Sequence, residues 1–269
     1  MAGKRLYSKN KIKMKNLIIN FISKKYFFSI IKKIIKRFEK DTSIEATQWA
    51  KIHVKHSTEE FCKSIDKFLY DEVKFDIDFL EKEARQKISK LNISLGGGGN
   101  FILLYFFIRK FKLVNIVETG VAAGWSSLAI LKALEKNGNG HLYSSDFPYF
   151  RLENPEKYIG YLAKDEKTKN NWFLDIRGDD KALPEIIKQI DNKNIDLFHY
   201  DSDKSYSGRA NALKTLKSKI NSKTIIIFDD IQNNLHFKDF VEENKKEFYV
   251  FELEGKFIGI TGLNYFIYQ

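Results

Sequence analysis

Residues 115–127 form the segment that most strongly constrains the fold of this chain. An apolar stretch with Ile116 and Val117 runs into a turn that contains Gly120 and Gly124, and an amphipathic stretch follows. This order predicts a buried strand, a tight turn and a helix, the unit with which α/β proteins hold nucleotides. Glycines after a strand also serve packing alone, so both roles stay open at this point.

The spacing within this turn favours a ligand that has no phosphate. Glu118 begins a Glu-x-Gly-x-x-x-Gly pattern that lacks the central glycine of the Gly-x-Gly-x-x-Gly turn. In dinucleotide-binding proteins that central glycine lets a pyrophosphate lie against the helix N-terminus. S-adenosylmethionine is the common nucleotide ligand without phosphate, and the turn therefore favours it over a dinucleotide.

Strands and helices alternate beyond residue 114, which predicts a mostly parallel sheet with helices on both faces. We predict strands over residues 114–118, 141–145, 172–176, 195–200 and 224–228, and helices over residues 125–136, 181–190 and 207–219. Residues 248–253 and 257–261 flank a short turn with a glycine and predict an antiparallel pair. The predicted sheet therefore has seven strands.

The N-terminal segment, residues 1–40, accounts for the net charge of +11, because the rest of the chain is close to balance. Lysines alternate with Ile, Leu and Phe over residues 11–39, which predicts a basic amphipathic helix or helix pair. The lysines interrupt every apolar run well before the roughly 20 residues that cross a bilayer. The pattern indicates peripheral contact with an anionic membrane or a partner, and packing on the chain's own domain is the alternative.

Residues 41–94 predict a helical extension of mixed charge ahead of a domain over residues 95–269. Phe61, Ile65, Phe68 and Leu69 are the candidate apolar face of this extension. The default function of such a face is packing.

The glycine run at residues 96–99 predicts a flexible joint or the hinge of a lid over a ligand site. Asn100 follows the run and is a candidate cap for a helix that reaches Arg109.

Cysteine content and charge distribution limit the environment and the partners. Cys62 is the single cysteine, and no Cys/His cluster has the spacing of a zinc site, which favours a reducing cytoplasm. The basic charge is not accompanied by a base-flipping loop or an aromatic stacking stripe, so nucleic acid is not a predicted partner.

Acidic residues end or closely follow all five predicted parallel strands. They are Glu118, Asp146, Asp179 with Asp180, Asp201 with Asp203, and Asp229 with Asp230. Because the carboxyl ends of parallel strands meet at one edge of the sheet, these acids repel one another unless they meet donors or a cation. Turns and helix caps are the alternative function of each residue taken singly.

Two of these strand ends suit the adenosine part of a ligand. Asp146 is placed to accept both ribose hydroxyls, with a turn before Pro148 as the alternative. Asp179 or Asp180 is placed beside the adenine and is a candidate acceptor for its amino group, with helix capping as the alternative.

The fourth and fifth strand ends predict a metal site and a base. Asp201, Asp229 and Asp230 offer the oxygen ligands that Mg²⁺ prefers, and caps without metal are the alternative. Lys204 lies three residues after Asp201. A metal and a cationic cofactor nearby should lower the pKa of Lys204 and make it a general base. A solvated lysine is the alternative. His199 lies on the same strand face as Asp201, and we favour a core histidine over a group that supports the site.

Residues 95–269 resemble the class I S-adenosylmethionine-dependent methyltransferases, and within them the metal-dependent O-methyltransferases of the catechol and caffeoyl-coenzyme A type. Residues 117–126 are similar to that family's first cofactor motif. The sequence Asp201-Ser-Asp-Lys204 is similar to the family's Asp-x-x-Lys.

The pair Asp229-Asp230 resembles the family's Asp-Asn pair, with Asp230 in place of the usual asparagine. Bacterial sugar and macrolide O-methyltransferases are also similar here, because they show Asp-Asp-Ile at this strand end. Those proteins have histidine where this chain has Lys204. The chain therefore looks intermediate between the two groups.

The resemblance implies a Rossmann-like sheet and a role for each motif residue. Glu118, Gly120 and Gly124 would line the methionine portion of the cofactor, Ser126 would hold its carboxylate, and Asp146 would bind its ribose. At the other end of the site, Asp201 would bind the metal beside the cofactor.

The implied reaction is methyl transfer to a hydroxyl group that the metal orients and Lys204 deprotonates. The acceptor would be a small molecule or a sugar, with a glycan preferred over a catechol, and a homo-oligomer is expected. The alternatives are a non-catalytic, membrane-associated binding module on the same fold and a nucleotide-dependent oxidoreductase.

Overall fold

The computed structural model describes residue 31 and residues 39–91, 93, 95, 99–148, 152–164 and 170–267. The predicted basic helix over residues 11–39 lies outside the described residues except at its positions 31 and 39. Most of the predicted glycine joint lies outside them as well.

Seven strands form one sheet in the order β3-β2-β1-β4-β5-β7-β6. Their bounds are β1 Asn115–Thr119, β2 His141–Ser145, β3 Trp172–Asp175, β4 Leu197–Tyr200, β5 Ile225–Phe228, β6 Phe248–Leu253 and β7 Lys256–Thr261. The first five strands are parallel, and β7 pairs antiparallel with both β5 and β6. The predicted mostly parallel sheet and its antiparallel closing pair are confirmed.

Eight α-helices are described around the sheet. They are α1 Ser43–His53, α2 Thr58–Ser89, α3 Phe101–Phe111, α4 Trp125–Asn137, α5 Asp179–Ile190, α6 Tyr206–Leu216, α7 His236–Glu243 and α8 Asn264–Ile267. The predicted helices at residues 125–136, 181–190 and 207–219 correspond to α4, α5 and α6.

Two apolar cores lie on opposite faces of the sheet. Alternation along β5 shows this, because Ile225 and Ile227 belong to the core with α2, α3 and α4, while Ile226 and Phe228 belong to the core with α5 and α6. Helices therefore cover both faces, as predicted. The strand order reverses between β1 and β4, and a cleft opens at the carboxyl ends of such strands.

The predicted apolar face of the helical extension is correct at Phe61 and wrong at Phe68. Phe61 is buried, whereas Phe68 is 88% exposed. The helix α2 is interrupted at Asp66, whose backbone is extended at φ −160° and ψ 97°. This interruption changes the phase of the helix, so that Tyr70 and Val73 face the core in its second part.

Asn100 occupies the N-cap position of α3, as predicted, but its side chain does not cap the helix. The side chain of Asn100 makes no capping hydrogen bond and instead donates from Nδ2 to Thr58 Oγ1 at 2.7 Å. Asn100 is buried, so its amide serves to join the starts of α2 and α3.

None of the helices in the described part of the chain combines the length and the apolar character that a membrane-spanning helix needs.

Candidate active site

The turn after β1 packs against the chain's own backbone, which explains its two glycines. Gly120 has φ +86°, and a Cβ there would lie 2.3 Å from the carbonyl oxygen of Asp201. Gly124 has φ +91°, and a Cβ there would lie 2.9 Å from the Cα of Gly160. The two glycines therefore allow the close backbone approach that their spacing predicts, and at both positions the approaching group is a neighbouring loop of the chain.

Glu118 is completely buried and anchors the start of α4. Its carboxylate accepts hydrogen bonds from the hydroxyls of Ser126 at 2.5 Å, Ser127 at 2.6 Å and Ser144 at 3.0 Å. These bonds hold β1, β2 and α4 together below the turn. Contact of Glu118 and Ser126 with a cofactor stays a prediction.

Asp146 lies beside the same turn, as its predicted role requires. Its Oδ2 accepts a hydrogen bond from the backbone N–H of Ala122 at 2.7 Å, and its Oδ1 accepts one from Phe147 at 2.6 Å. The carboxylate is thus fixed at the edge of the turn, where a ribose would lie.

Asp179 and Asp180 differ sharply in environment. Asp179 accepts hydrogen bonds from Ser202 Oγ at 2.5 Å and from the Ser145 hydroxyl, which ties β2 to the loop after β4. Burial raises the pKa of Asp179, and the two serine bonds only partly offset it. Asp180 is exposed at the surface. Of the two predicted adenine acceptors, Asp179 is the one that lies between strand ends.

A cleft joins the glycine turn to the ends of β4 and β5. Its walls include Phe101 of α3, Trp125 and Ser126 of α4, and Asp201 and Asp229. The structure thereby places residues predicted for cofactor binding and residues predicted for chemistry around one opening.

Lys204 forms ion pairs with two acids of neighbouring strands. Its Nζ lies 2.9 Å from Asp230 Oδ2 and also contacts the carboxylate of Asp201. Burial lowers the pKa of Lys204, but the charges of Asp201 and Asp230 outweigh this and raise it above the usual value. The predicted lowering assumed a metal and a cationic cofactor beside Lys204 and stays a prediction, whereas the charges of the chain itself act in the opposite direction.

The pKa values of the two acidic partners of Lys204 are shifted in opposite directions. Burial and the nearby charge of Asp229 raise the pKa of Asp201. Burial also acts to raise the pKa of Asp230, but the charge of Lys204 outweighs it and keeps that pKa below the usual value.

His199 is a buried core residue that lies between two acids. Its Nε2 is 3.6 Å from Asp229 Oδ2, and its Nδ1 is 3.8 Å from Glu118 Oε1. Burial alone would lower the pKa of His199, but attraction to Asp229 and Glu118 raises it to about 10. The core assignment is confirmed, and the imidazolium balances charge beneath the cleft.

We expect His199 to make stability depend on pH between about 6.5 and 10. A folded pKa of about 10 lies above the unfolded value of about 6.5, so its stabilisation is complete below pH 6.5 and is lost as pH rises through 10. Urea unfolding at several pH values should show a falling free energy of unfolding across this range. His199→Gln should remove that part of the slope; an unchanged slope in the variant would contradict the assignment.

The side chains predicted to bind Mg²⁺ do not fit a divalent cation as they are arranged. The ammonium group of Lys204 shares Asp201 and Asp230, and Asp229 faces His199. Within the described ranges, no group of three or more His, Cys, Asp or Glu side chains is placed to hold a metal. The structure thus brings these acids together but pairs them with cations of the chain.

Arg209 supports the site and was missed in the sequence. It is completely buried, and its Nη2 donates to the carbonyl oxygens of Asp229 at 2.9 Å and Asp230 at 2.8 Å. These bonds hold Asp230 in the left-handed conformation at φ 53°. No pattern marks the residue, because arginine on an amphipathic helix is usually exposed.

Comparison with known proteins agrees with this architecture. The family model described as "Methyltransferase domain" matches residues 117–231. None of the curated proteins matches the sequence significantly.

Two solved structures share the fold at low sequence identity. An O-methyltransferase from Bacillus cereus has a TM-score of 0.53 and 14% identity, over 68% of this chain and 90% of that one. The O-methyltransferase TomG from Streptomyces achromogenes has a TM-score of 0.54 and 13% identity, over 68% of this chain and 88% of that one. The chain therefore shares the Rossmann-like fold of these O-methyltransferases, and the match of residues 117–231 to a methyltransferase domain agrees with the resemblance seen in its sequence.

Proposed function

We propose that this chain transfers a methyl group from S-adenosylmethionine to a hydroxyl group. The observation that carries the proposal is the single cleft that joins the glycine turn and Ser126 to Asp201 and Asp229. The two similar structures were solved with the reaction product SAH, for the Bacillus cereus protein, and with SAM, for TomG. Both support this choice of methyl donor.

The residues around the turn would hold the donor. Asp146, which two backbone amides hold in place, would accept the ribose hydroxyls, and Ser126 would meet the carboxylate of the methionine portion. When bound, S-adenosylmethionine supplies an electrophilic methyl group on a positively charged sulfur. Asp201 and Asp229 line the same cleft and would attract that positive charge.

Lys204 and Asp201 would act on the acceptor. A bond forms between the acceptor oxygen and the methyl carbon while the carbon–sulfur bond breaks, and the hydroxyl proton must pass to a base. The family resemblance assigns the proton to Lys204, which requires a neutral amine. The ion pairs of Lys204 favour the ammonium form instead, so it would donate a hydrogen bond to the acceptor oxygen while Asp201 takes the proton.

Positioning supplies much of the rate in such a reaction. Alignment of an oxygen with a carbon–sulfur bond converts an encounter into an intramolecular step, and this is worth about 7 to 11 kcal/mol in favourable cases. The side chains that the resemblance assigns to a divalent cation are paired with Lys204 and His199 instead, and no step described for Lys204 or Asp201 depends on a metal.

The acceptor class and the location of the chain extend the proposal. A sugar or glycan hydroxyl is preferred over a catechol because of the resemblance to bacterial sugar O-methyltransferases. The basic segment at residues 11–39 would bring the domain to an anionic membrane surface from the cytoplasm, and a homo-oligomer is expected. Transfer of labelled methyl groups to a panel of glycans and catechols, with and without vesicles of anionic lipid, tests the acceptor class and the membrane contact.

Asp146→Asn should weaken S-adenosylmethionine binding by about 10- to 100-fold, because a carboxylate that accepts hydrogen bonds from ligand hydroxyls contributes about 1.5 to 3 kcal/mol. Isothermal titration calorimetry with S-adenosylmethionine measures this loss. Glu185→Gln is the charge control, since Glu185 forms only a surface ion pair with Lys188 among its described contacts. Equal affinities in Asp146→Asn and wild type would remove Asp146 from the donor site.

Two alternatives make different predictions in the same titration. An oxidoreductase on this sheet would bind NAD in preference to S-adenosylmethionine. A non-catalytic binding module would bind S-adenosylmethionine but would transfer no methyl group to any hydroxyl acceptor of the panel.

A further inference from the structure

The ammonium group of Lys204 lies where the sequence predicts a metal ion. It forms ion pairs with Asp201 at the end of β4 and with Asp230 at the end of β5, so a single side chain joins the two neighbouring strands. We propose that this ammonium group replaces the divalent cation in the site, and that methyl transfer by this chain needs no metal. The inference rests on the proposed function and specifies how its acceptor oxygen is oriented.

The third predicted metal ligand is turned to a different partner. Asp229 is mostly buried, and its Oδ2 lies 3.6 Å from Nε2 of His199 beneath the cleft. Each of the three carboxylates therefore faces a nitrogen of this chain. A metal ion entering between them would have to take oxygen atoms away from Lys204 and His199.

Buried groups on both sides hold this arrangement in place. Arg209 binds the carbonyl oxygens of Asp229 and Asp230, and Asn234 Nδ2 donates to the carbonyl oxygen of Lys204 at 2.7 Å. The backbone is thus fixed at both ends of the Lys204 to Asp230 ion pair. Surface ion pairs lack such support and contribute little.

Asp230 stands where the resembled family usually has asparagine, and this difference also fits a site whose cation is a side chain of the protein. An asparagine would offer Lys204 a neutral oxygen, whereas Asp230 offers a full negative charge at 2.9 Å. Its second oxygen lies 3.9 Å from Nζ of Lys256. The extra carboxylate therefore balances cations that belong to the chain.

Mg²⁺ demands conditions that this arrangement does not provide. It binds near-octahedrally to oxygen atoms at about 2.0 to 2.1 Å, and an ammonium group between two of those ligands repels it. The Lys204 side chain is 32% exposed and contacts Asp201, which lines the cleft, so an acceptor oxygen beside Asp201 would lie close to its ammonium group. One of its N–H groups makes only a long contact of 3.4 Å, to the carbonyl oxygen of Asp201.

Binding of Mn²⁺, followed by electron paramagnetic resonance, tests the proposal directly. The full chain should bind no stoichiometric Mn²⁺ at submillimolar concentration. Lys204→Met should bind one Mn²⁺ per chain at least about tenfold more tightly, because the competing cation is gone and its carboxylates remain. Lys256→Met is the matched control; it removes a lysine that lies 3.9 Å from the same Asp230 and should leave Mn²⁺ binding as in the wild type.

Two results would overturn the proposal. Stoichiometric Mn²⁺ binding by the wild-type chain, as tight as in Lys204→Met, would show that Lys204 does not exclude the metal. Failure of Lys204→Met to gain Mn²⁺ binding, in a variant whose circular dichroism matches the wild type, would show the same.

The proposed function is judged separately by S-adenosylmethionine binding to the same preparations. Wild-type chain that binds both S-adenosylmethionine and Mn²⁺ would refute the internal cation alone. Wild-type chain that binds neither would refute the donor assignment and leave the exclusion of metal standing.

Discussion

Lys204→Met should lower kcat for methyl transfer by about 10²- to 10³-fold, the usual effect of removing one preorganised charged donor from a reacting oxygen. The KM for S-adenosylmethionine should change little, because the described contacts of Lys204 are with Asp201, Asp230 and Asn234 and not with the glycine turn. Steady-state kinetics with a competent acceptor, with and without a chelator, measures both parameters. The wild-type rate should be the same in the chelator, since no divalent cation is needed.

Lys204→Arg separates the two functions that a lysine can have here. Arginine stays protonated and cannot act as a base, but its guanidinium can pair with both Asp201 and Asp230. We expect Lys204→Arg to keep a rate within about tenfold of the wild type, while Lys204→Met loses most of it. Equal loss in both variants would instead identify Lys204 as the general base.

Gly120→Ala should be among the most destabilising substitutions at the site. Its φ of +86° costs an L-residue about 1 to 2 kcal/mol, and the new Cβ would lie 2.3 Å from the carbonyl oxygen of Asp201. Overpacking of this kind adds about 1 to 3 kcal/mol. Urea unfolding should therefore show a loss of about 2 to 5 kcal/mol, and the displaced Asp201 should reduce methyl transfer in the folded fraction as well.

Gly138→Ala is the matched control for backbone strain. Gly138 also has a positive φ, +74°, but a Cβ there would meet no atom within 4 Å. It should lose only the conformational part, about 1 to 2 kcal/mol. A loss in Gly120→Ala no larger than in Gly138→Ala would mean that the turn yields to the new Cβ, and that its contact with Asp201 is not rigid.

The elements of the sheet were predictable because each strand is a short apolar stretch with its own turn signals. The predicted strand over residues 195–200 corresponds to β4, and the acid that follows it lies at the cleft, as expected. Hydrophobic period and turn residues are local properties, so the sequence carries them directly. The interruption of α2 at Asp66 is the counter-example, since nothing local distinguished Phe68 from Leu69.

Partners of the polar side chains were not predictable because they belong to other elements of the fold, whose relative positions are set only when the chain packs. Glu118 takes its three hydrogen bonds from residues on α4 and β2, and Asn234 holds Lys204 from 30 positions away. The direction of the Lys204 pKa shift depended on which charges lay closest to it. The order of residues in the sequence does not determine the distances between these charged groups.

The sequence by itself determined the alternating α/β sheet, the glycine turn and the row of acids at one edge, because periodicity and turn chemistry act over a few residues. Only the tertiary structure decided what those acids bind. It placed Lys204 between Asp201 and Asp230 and turned Asp229 towards His199, since the energies of buried charges depend on distance and burial, which are set when the strands assemble.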